Sequence, residues 1–72
     1  MGQQEVIDAL EQSKVPLSAK EISIKVNERD KEVMRAIKVM LKYNEIEFIE
    51  LPKELSMKFY NCKRRLKLYY LP

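Results

Sequence analysis

The spacing of apolar residues changes once along the chain and divides it into a helical part and a β part. Between residues 3 and 43 apolar residues recur every three to four positions, which is typical of amphipathic helices. After Asn44 the segment Glu45–Leu51 begins in strict alternation, and Leu66–Leu71 is a second β-like run. We therefore predict an α+β fold in which helices are followed by a β-hairpin.

Three helices are predicted, at residues 3–13, 19–26 and 31–43. Ser18 and Glu21 have the spacing of a capping box, in which each side chain bonds the backbone amide of the other residue. Leu17, just before, suits a short extended segment. Asp30 is the predicted N-cap of the third helix, and Asn44 is expected to follow it in the left-handed conformation.

The apolar faces of these elements define the expected core. It comprises Val6, Ile7, Leu10, Leu17, Ile22, Val26, Val33, Ile37, Met40, Leu41, Phe48 and Leu68. Pro52 ends the first strand of the hairpin, and the second strand is expected within residues 65–71. Residues 52–65 are ambiguous: Met57–Cys62 forms either a third strand that turns at Lys63–Arg65, or part of one long irregular loop.

The third predicted helix carries its basic residues on one side. With Lys31 set at 0°, Arg35 lies near about 40°, Lys38 near about 340° and Lys42 near about 20°. The apolar residues of the helix centre at roughly 225°, on the far side. An ordinary solvated face is the simpler explanation, but solvated faces normally mix both signs of charge. The stripe therefore favours binding to a polyanion.

Charge is also unevenly distributed along the chain, whose net charge is +3. Residues 1–30 hold four basic and six acidic residues, whereas residues 31–72 hold ten basic and five acidic residues. The segment Lys63-Arg64-Arg65 suits phosphate contact in a turn. An equally good interpretation is that it keeps the apolar strand after it from aggregating.

The chain offers little chemistry. It has no His, one Cys (Cys62) and one Gly, so we expect neither an enzyme, nor a metal site, nor a cofactor. A lone cysteine agrees with a reducing cytoplasm. No apolar run approaches the roughly 20 residues that span a bilayer. With 72 residues the chain has room for a single domain, 1–72.

The sequence also resembles the winged helix-turn-helix superfamily, in particular small prokaryotic and viral transcriptional regulators. Leu17–Ser23 is similar to the start of their second helix, and Glu32–Met40 resembles their recognition helix. Tyr43–Ile46 resembles the hinge into the first wing strand, where Gly is usual. The resemblance covers about residues 5–51 and departs from the superfamily at the long segment 52–65.

The resemblance implies a winged helix: a three-helix bundle with a helix-turn-helix, followed by a C-terminal β-hairpin wing. It implies a transcriptional regulator that binds double-stranded DNA, with helix 31–43 in the major groove and the basic wing on the backbone. The expected DNA-binding residues are Lys31, Arg35, Lys38, Lys42, Lys63, Arg64 and Arg65. Paired half-sites imply a homodimer. The alternatives are a winged helix that contacts a protein partner in a replication or transcription complex, and one that binds RNA.

Overall fold

The computed structural model describes residues 3–72, which form four helices and three strands. In chain order these are α1 (Gln3–Gln12), β1 (Leu17–Ser18), α2 (Ala19–Val26), α3 (Asp30–Lys42), β2 (Glu47–Leu51), α4 (Lys53–Tyr60) and β3 (Leu66–Tyr70). The α+β prediction is confirmed. The expectation of three helices is wrong in its count, because α4 is a fourth helix. The two-residue strand β1 lies where the short extended segment at Leu17 was expected.

The start and end of α2 follow from local sequence, as predicted. The Ser18 hydroxyl accepts a hydrogen bond from the Glu21 amide at 3.2 Å, and the Glu21 carboxylate accepts one from the Ser18 amide at 2.9 Å. Asn27 ends the helix in the left-handed conformation at φ 55°. Leu17 lies in β1, directly before this cap, as its position suggested.

The third helix begins one residue earlier than expected. Asp30 is its first helical residue, and the N-cap is Arg29, whose side chain makes no capping hydrogen bond. The prediction of Asp30 as the N-cap is therefore wrong. In the first turn its carboxylate still faces the positive end of the helix dipole, and it lies 3.8 Å from the Lys20 ammonium. Asn44 follows the helix at φ 60°, as expected.

The three strands form one antiparallel sheet in the order β1-β3-β2. Tyr69 of β3 lies between Leu17 and Phe48, and Leu68 lies between Ser18 and Ile49. Since neighbouring residues of a strand point to opposite faces, these two rows lie on opposite sides of the sheet. Tyr69 belongs to the core cluster, so its face of the sheet is the one that packs on the helices.

The segment between β2 and β3 contains a helix, which neither interpretation of residues 52–65 anticipated. Pro52 stands at the N-cap of α4, a region where a missing N–H costs nothing, and its carbonyl accepts from the Ser56 amide at 2.9 Å. Asn61 closes the helix at φ 53°. The sequence is misleading here because Leu55, Met57 and Phe59 alternate as they would in a strand, although all three lie on α4.

The core lies between α1, α2, α3 and one face of the sheet. Its buried cluster consists of Val6, Leu10, Leu17, Ile22, Val33, Ile37, Met40, Ile46 and Tyr69. Three of the predicted core residues, Ile7, Val26 and Leu41, are partly buried against this cluster, and Leu68 is buried outside it.

The placement of Phe48 in the core is wrong, since 43% of it is exposed. Its strand β2 is at the edge of the sheet, and its ring lies 6.3 Å from that of Tyr69 and 4.9 Å from the Lys67 ammonium. Ile46 and Tyr69, which were not predicted, are buried instead. Burial raises the pKa of the Tyr69 phenol above its ordinary value near 10.0. Among residues 3–72 there is no helix with the length and apolar character that a membrane crossing requires.

Candidate nucleic-acid interface

The outward face of α3 carries four exposed cations, Lys31, Arg35, Lys38 and Lys42, which we call the α3 stripe. All four lie within a sector about 60° wide on the helix. The opposite face holds the α3 side chains of the core, which are Val33, Ile37 and Met40, each 0% exposed. Because this burial fixes the rotation of the helix about its axis, the stripe points into solvent along a line of roughly 16 Å.

Within residues 3–72, one of the four cations of the α3 stripe makes an ion pair. The Arg35 guanidinium lies 3.7 Å from the Glu32 carboxylate, one helical turn away, and both groups are well exposed. Such an exposed pair is worth little and is readily exchanged for another anion. In residues 3–72 neither Lys31, Lys38 nor Lys42 makes an ion pair within 4.0 Å. The stripe is therefore a surface of net positive charge.

Two residues beside the stripe were not singled out from the sequence. Val39 is 38% exposed and lies at about 80° on the helix, next to the stripe. Tyr43 follows the helix, is 65% exposed, and has the Lys42 ammonium 5.8 Å from its ring. Their positions could have been read from the same helical phase that defined the stripe. They add apolar and aromatic surface to a face that is otherwise polar.

The basic segment between α4 and β3 is divided between two hollows. Arg64 and Arg65 line one of about 470 Å³, together with Lys20 of α2 and with Asp30 and Met34 of α3. Lys63 lines a different hollow of about 490 Å³ with Lys53, Glu54 and Met57 of α4. The structure thus brings Arg64 and Arg65, but not Lys63, beside the N-terminal half of α3.

Two further cations of this region, Lys20 and Lys67, line the same hollow as Arg64 and Arg65. Lys67 lies opposite Glu50 in the strand register, and Glu50 also has the Arg65 guanidinium 3.8 Å from its carboxylate. Sequence reasoning missed Lys20 and Lys67 because their approach depends on how β3 returns to the helices. Of the four cations in this hollow, Lys20 has Asp30 within 3.8 Å and Arg65 has Glu50 at the same distance, so the positive charge here is partly balanced.

A metal site in the described part of the chain would require several ligand side chains close together. Residues 3–72 contain no group of three or more His, Cys, Asp or Glu residues that would hold a metal ion. Cys62 is a free, half-buried thiol directly after α4. Comparisons of the chain with protein-family models, curated proteins and solved structures return no match.

Proposed function

We propose that this protein is a winged-helix transcriptional regulator that binds duplex DNA, with α3 in the major groove and the basic turn on the phosphate backbone. The observation that carries the proposal is the α3 stripe, whose four exposed cations lie directly opposite the buried face of the same helix. A recognition helix needs this division, since one side docks on the domain while the other enters a groove wide enough for one helix.

The element order supports the winged-helix part of the proposal. Three helices precede an antiparallel hairpin, β2–β3, and β1 adds a third strand beside β3. The unusual feature is the wing itself, in which the eight-residue helix α4 takes the place of a simple turn. The wing residues that serve the interface are then Arg64 and Arg65, which lie beside α3, rather than residues at the far end of the hairpin.

The cations of the proposed DNA interface have different roles, because their side chains and their positions differ. Arg35 lies in the middle of the stripe and has the planar donor pair that reads guanine, so we assign it base contact. Lys38 and Lys42 lie toward the C-terminal end and meet phosphates, as do Arg64 and Arg65. Lys31, at the N-terminal end, is within reach of bases or of phosphates.

A rival proposal gives α3 a protein partner instead of DNA. Such a surface needs an exposed apolar patch, because protein interfaces have an apolar centre that is depleted in charge. Val39 is the one large hydrophobic residue within α3 that is exposed, and the α3 stripe lies next to it. This composition favours a polyanion.

A pair of charge-reversal variants tests the proposal. Lys38→Glu with Lys42→Glu alters the stripe, and Lys14→Glu with Lys25→Glu makes the same change of net charge at two exposed lysines elsewhere. Binding to a labelled random duplex is followed by fluorescence anisotropy at about 50 mM and about 200 mM salt. We expect the stripe variant to lose at least about tenfold in affinity and the control much less.

Equal losses in the two variants would contradict a dedicated α3 surface, and so would the absence of duplex binding by the unaltered protein at low salt. Duplex RNA of the same sequence serves as a second probe. A-form RNA has a major groove too narrow for a helix, so the proposal predicts weaker binding to RNA than to DNA. Stronger binding to RNA would favour the RNA-binding alternative.

A further inference from the structure

Helix α4 differs from the other helices in how little of its apolar surface is covered. Ser56 is its only buried residue. Its four large hydrophobic residues are all exposed: Leu55 by 39%, Met57 by 43%, Phe59 by 66% and Tyr60 by 38%. By contrast, α1, α2 and α3 each bury hydrophobic side chains almost completely. Monomeric proteins rarely leave several large apolar side chains exposed on one element.

The geometry of the hairpin explains the exposure. The Ser56 hydroxyl accepts from the Leu66 amide at 3.1 Å and is 3.5 Å from the Leu51 carbonyl oxygen, so it joins α4 to the last paired residues of β2 and β3. On the helix, Leu55 and Phe59 flank Ser56 on one side, and Met57 and Tyr60 flank it on the other. The ends of β2 and β3 therefore cover Ser56, but they leave the apolar side chains on both sides of it exposed.

Charge around these residues has one dominant sign. Near α4 the chain carries three basic residues, Lys53, Lys58 and Lys63, and one acid, Glu54. Lys58 lies on the side of the helix opposite Ser56, with its ammonium 5.5 Å from the Phe59 ring, and Lys53 and Lys63 line the hollow of about 490 Å³ beside Met57. The surface of α4 therefore exposes apolar side chains together with a net positive charge.

The neighbouring strand β2 has the opposite character. Glu45, Glu47 and Glu50 are all exposed, and residues 45–51 contain no basic residue. Ile49 is 43% exposed and lies with Glu47 on the sheet face away from Tyr69, whereas Glu50 lies on the Tyr69 face. The sheet order gives β2 a strand neighbour on one side only. The free side of β2 is therefore acidic, with the apolar side chain of Ile49 exposed beside Glu47.

We propose that a second copy of this chain covers both surfaces, with β2 of each copy packed against α4 of the other. One chain carries two surfaces of opposite charge, each with apolar side chains exposed, and a twofold axis pairs each surface with its complement. Pairing β2 with β2 brings glutamates together, and pairing α4 with α4 brings lysines together, so the crossed arrangement is favoured. None of the residues involved belongs to the α3 stripe, which stays uncovered on both copies.

Measuring the oligomeric state tests this proposal independently of DNA binding. Sedimentation equilibrium of the unaltered protein is compared with Phe59→Glu and with the control Ile24→Glu, which places the same charge on an equally exposed residue of α2. We expect a dimer whose dissociation constant rises by about 30-fold or more in Phe59→Glu, as for loss of an aromatic anchor, and is unchanged in Ile24→Glu. Circular dichroism checks that each variant is folded.

A charge exchange identifies the contact. Two double variants are each expected to weaken the dimer: Glu45→Lys with Glu47→Lys, and separately Lys53→Glu with Lys58→Glu. An equimolar mixture of the two is expected to form heterodimers, because one of their β2–α4 contacts has both charges reversed and the other has both charges unaltered. Combining all four changes in one chain is expected to restore the homodimer. Glu50 is left unchanged because it lies beside Arg65. A monomer at about 100 µM, or a dimer that neither Phe59→Glu nor the exchange affects, would overturn the proposal.

Discussion

At the residue scale, an asparagine follows three of the four helices found in residues 3–72. In this part of the chain the residues with positive φ are Asn27, Asn44 and Asn61, which follow α2, α3 and α4. Asn tolerates the left-handed conformation that glycine usually supplies, and the one glycine, Gly2, lies outside the described residues. The roles of Asn27 and Asn44 were predictable because the helices before them were recognised. That of Asn61 was not, because α4 was not.

Ile37 is the residue on which the orientation of α3 depends most directly. It is 0% exposed, and Val39 on the same helix is 38% exposed. Ile37→Ala is expected to reduce the free energy of unfolding by about 2–5 kcal/mol, because it removes a buried side chain and leaves a cavity. Val39→Ala, the matched control, should change it by less than about 0.5 kcal/mol. Urea denaturation of both variants measures the difference, and equal effects would mean that α3 is rotated about its axis.

At the element scale, short-range sequence signals predicted most of the helix and strand boundaries but did not predict α4. The capping box of α2 and the change of apolar period after Asn44 act within a few residues, so they can be read directly from sequence. For residues 52–65 the same reasoning left open a strand at Met57–Cys62 or a long irregular loop, and it did not indicate a helix. The helical alternative depends on Ser56, whose role is a hydrogen bond to Leu66, ten residues away.

Ser56 therefore offers a test of how α4 is attached. Ser56→Ala removes the acceptor of the buried Leu66 amide, which should lower the free energy of unfolding by about 1–3 kcal/mol. Hydrogen exchange of the Leu66 amide should become faster in the same variant. Ser13→Ala is the control, because the Ser13 hydroxyl donates to the Val15 carbonyl in an exposed position. If the two variants are equally stable and Leu66 exchange is unchanged, α4 is not held by this hydrogen bond.

At the scale of the whole molecule, the sequence indicated the α3 stripe but not the surface around it. The stripe follows from helical phase alone, and the burial of Val33, Ile37 and Met40 agrees with that phase. The separation of Lys63 from Arg64 and Arg65 was not predictable. It depends on where α4 ends and on how β3 returns beside the helices.

The whole molecule also shows that the two proposed binding surfaces are separate. The α3 stripe and the surfaces of β2 and α4 share no residue, and they differ in composition. The stripe is charged with a single exposed apolar neighbour within its helix, Val39, whereas α4 exposes four large hydrophobic residues. A polyanion is suited to the first and a protein surface to the second. We therefore expect that mutations can alter the proposed DNA binding and the proposed self-association separately.

The most direct test of the central claim, that α3 is the DNA-binding element, is an amide-shift titration of the labelled protein with duplex DNA at low salt. We predict that the largest shifts fall in α3, from Lys31 to Lys42, with a second set at Arg64 and Arg65. Raising the salt concentration should weaken all of them, because phosphate contacts release counterions. Shifts confined to the acidic helix α1 or to α4, or no shifts at low salt, would contradict the claim.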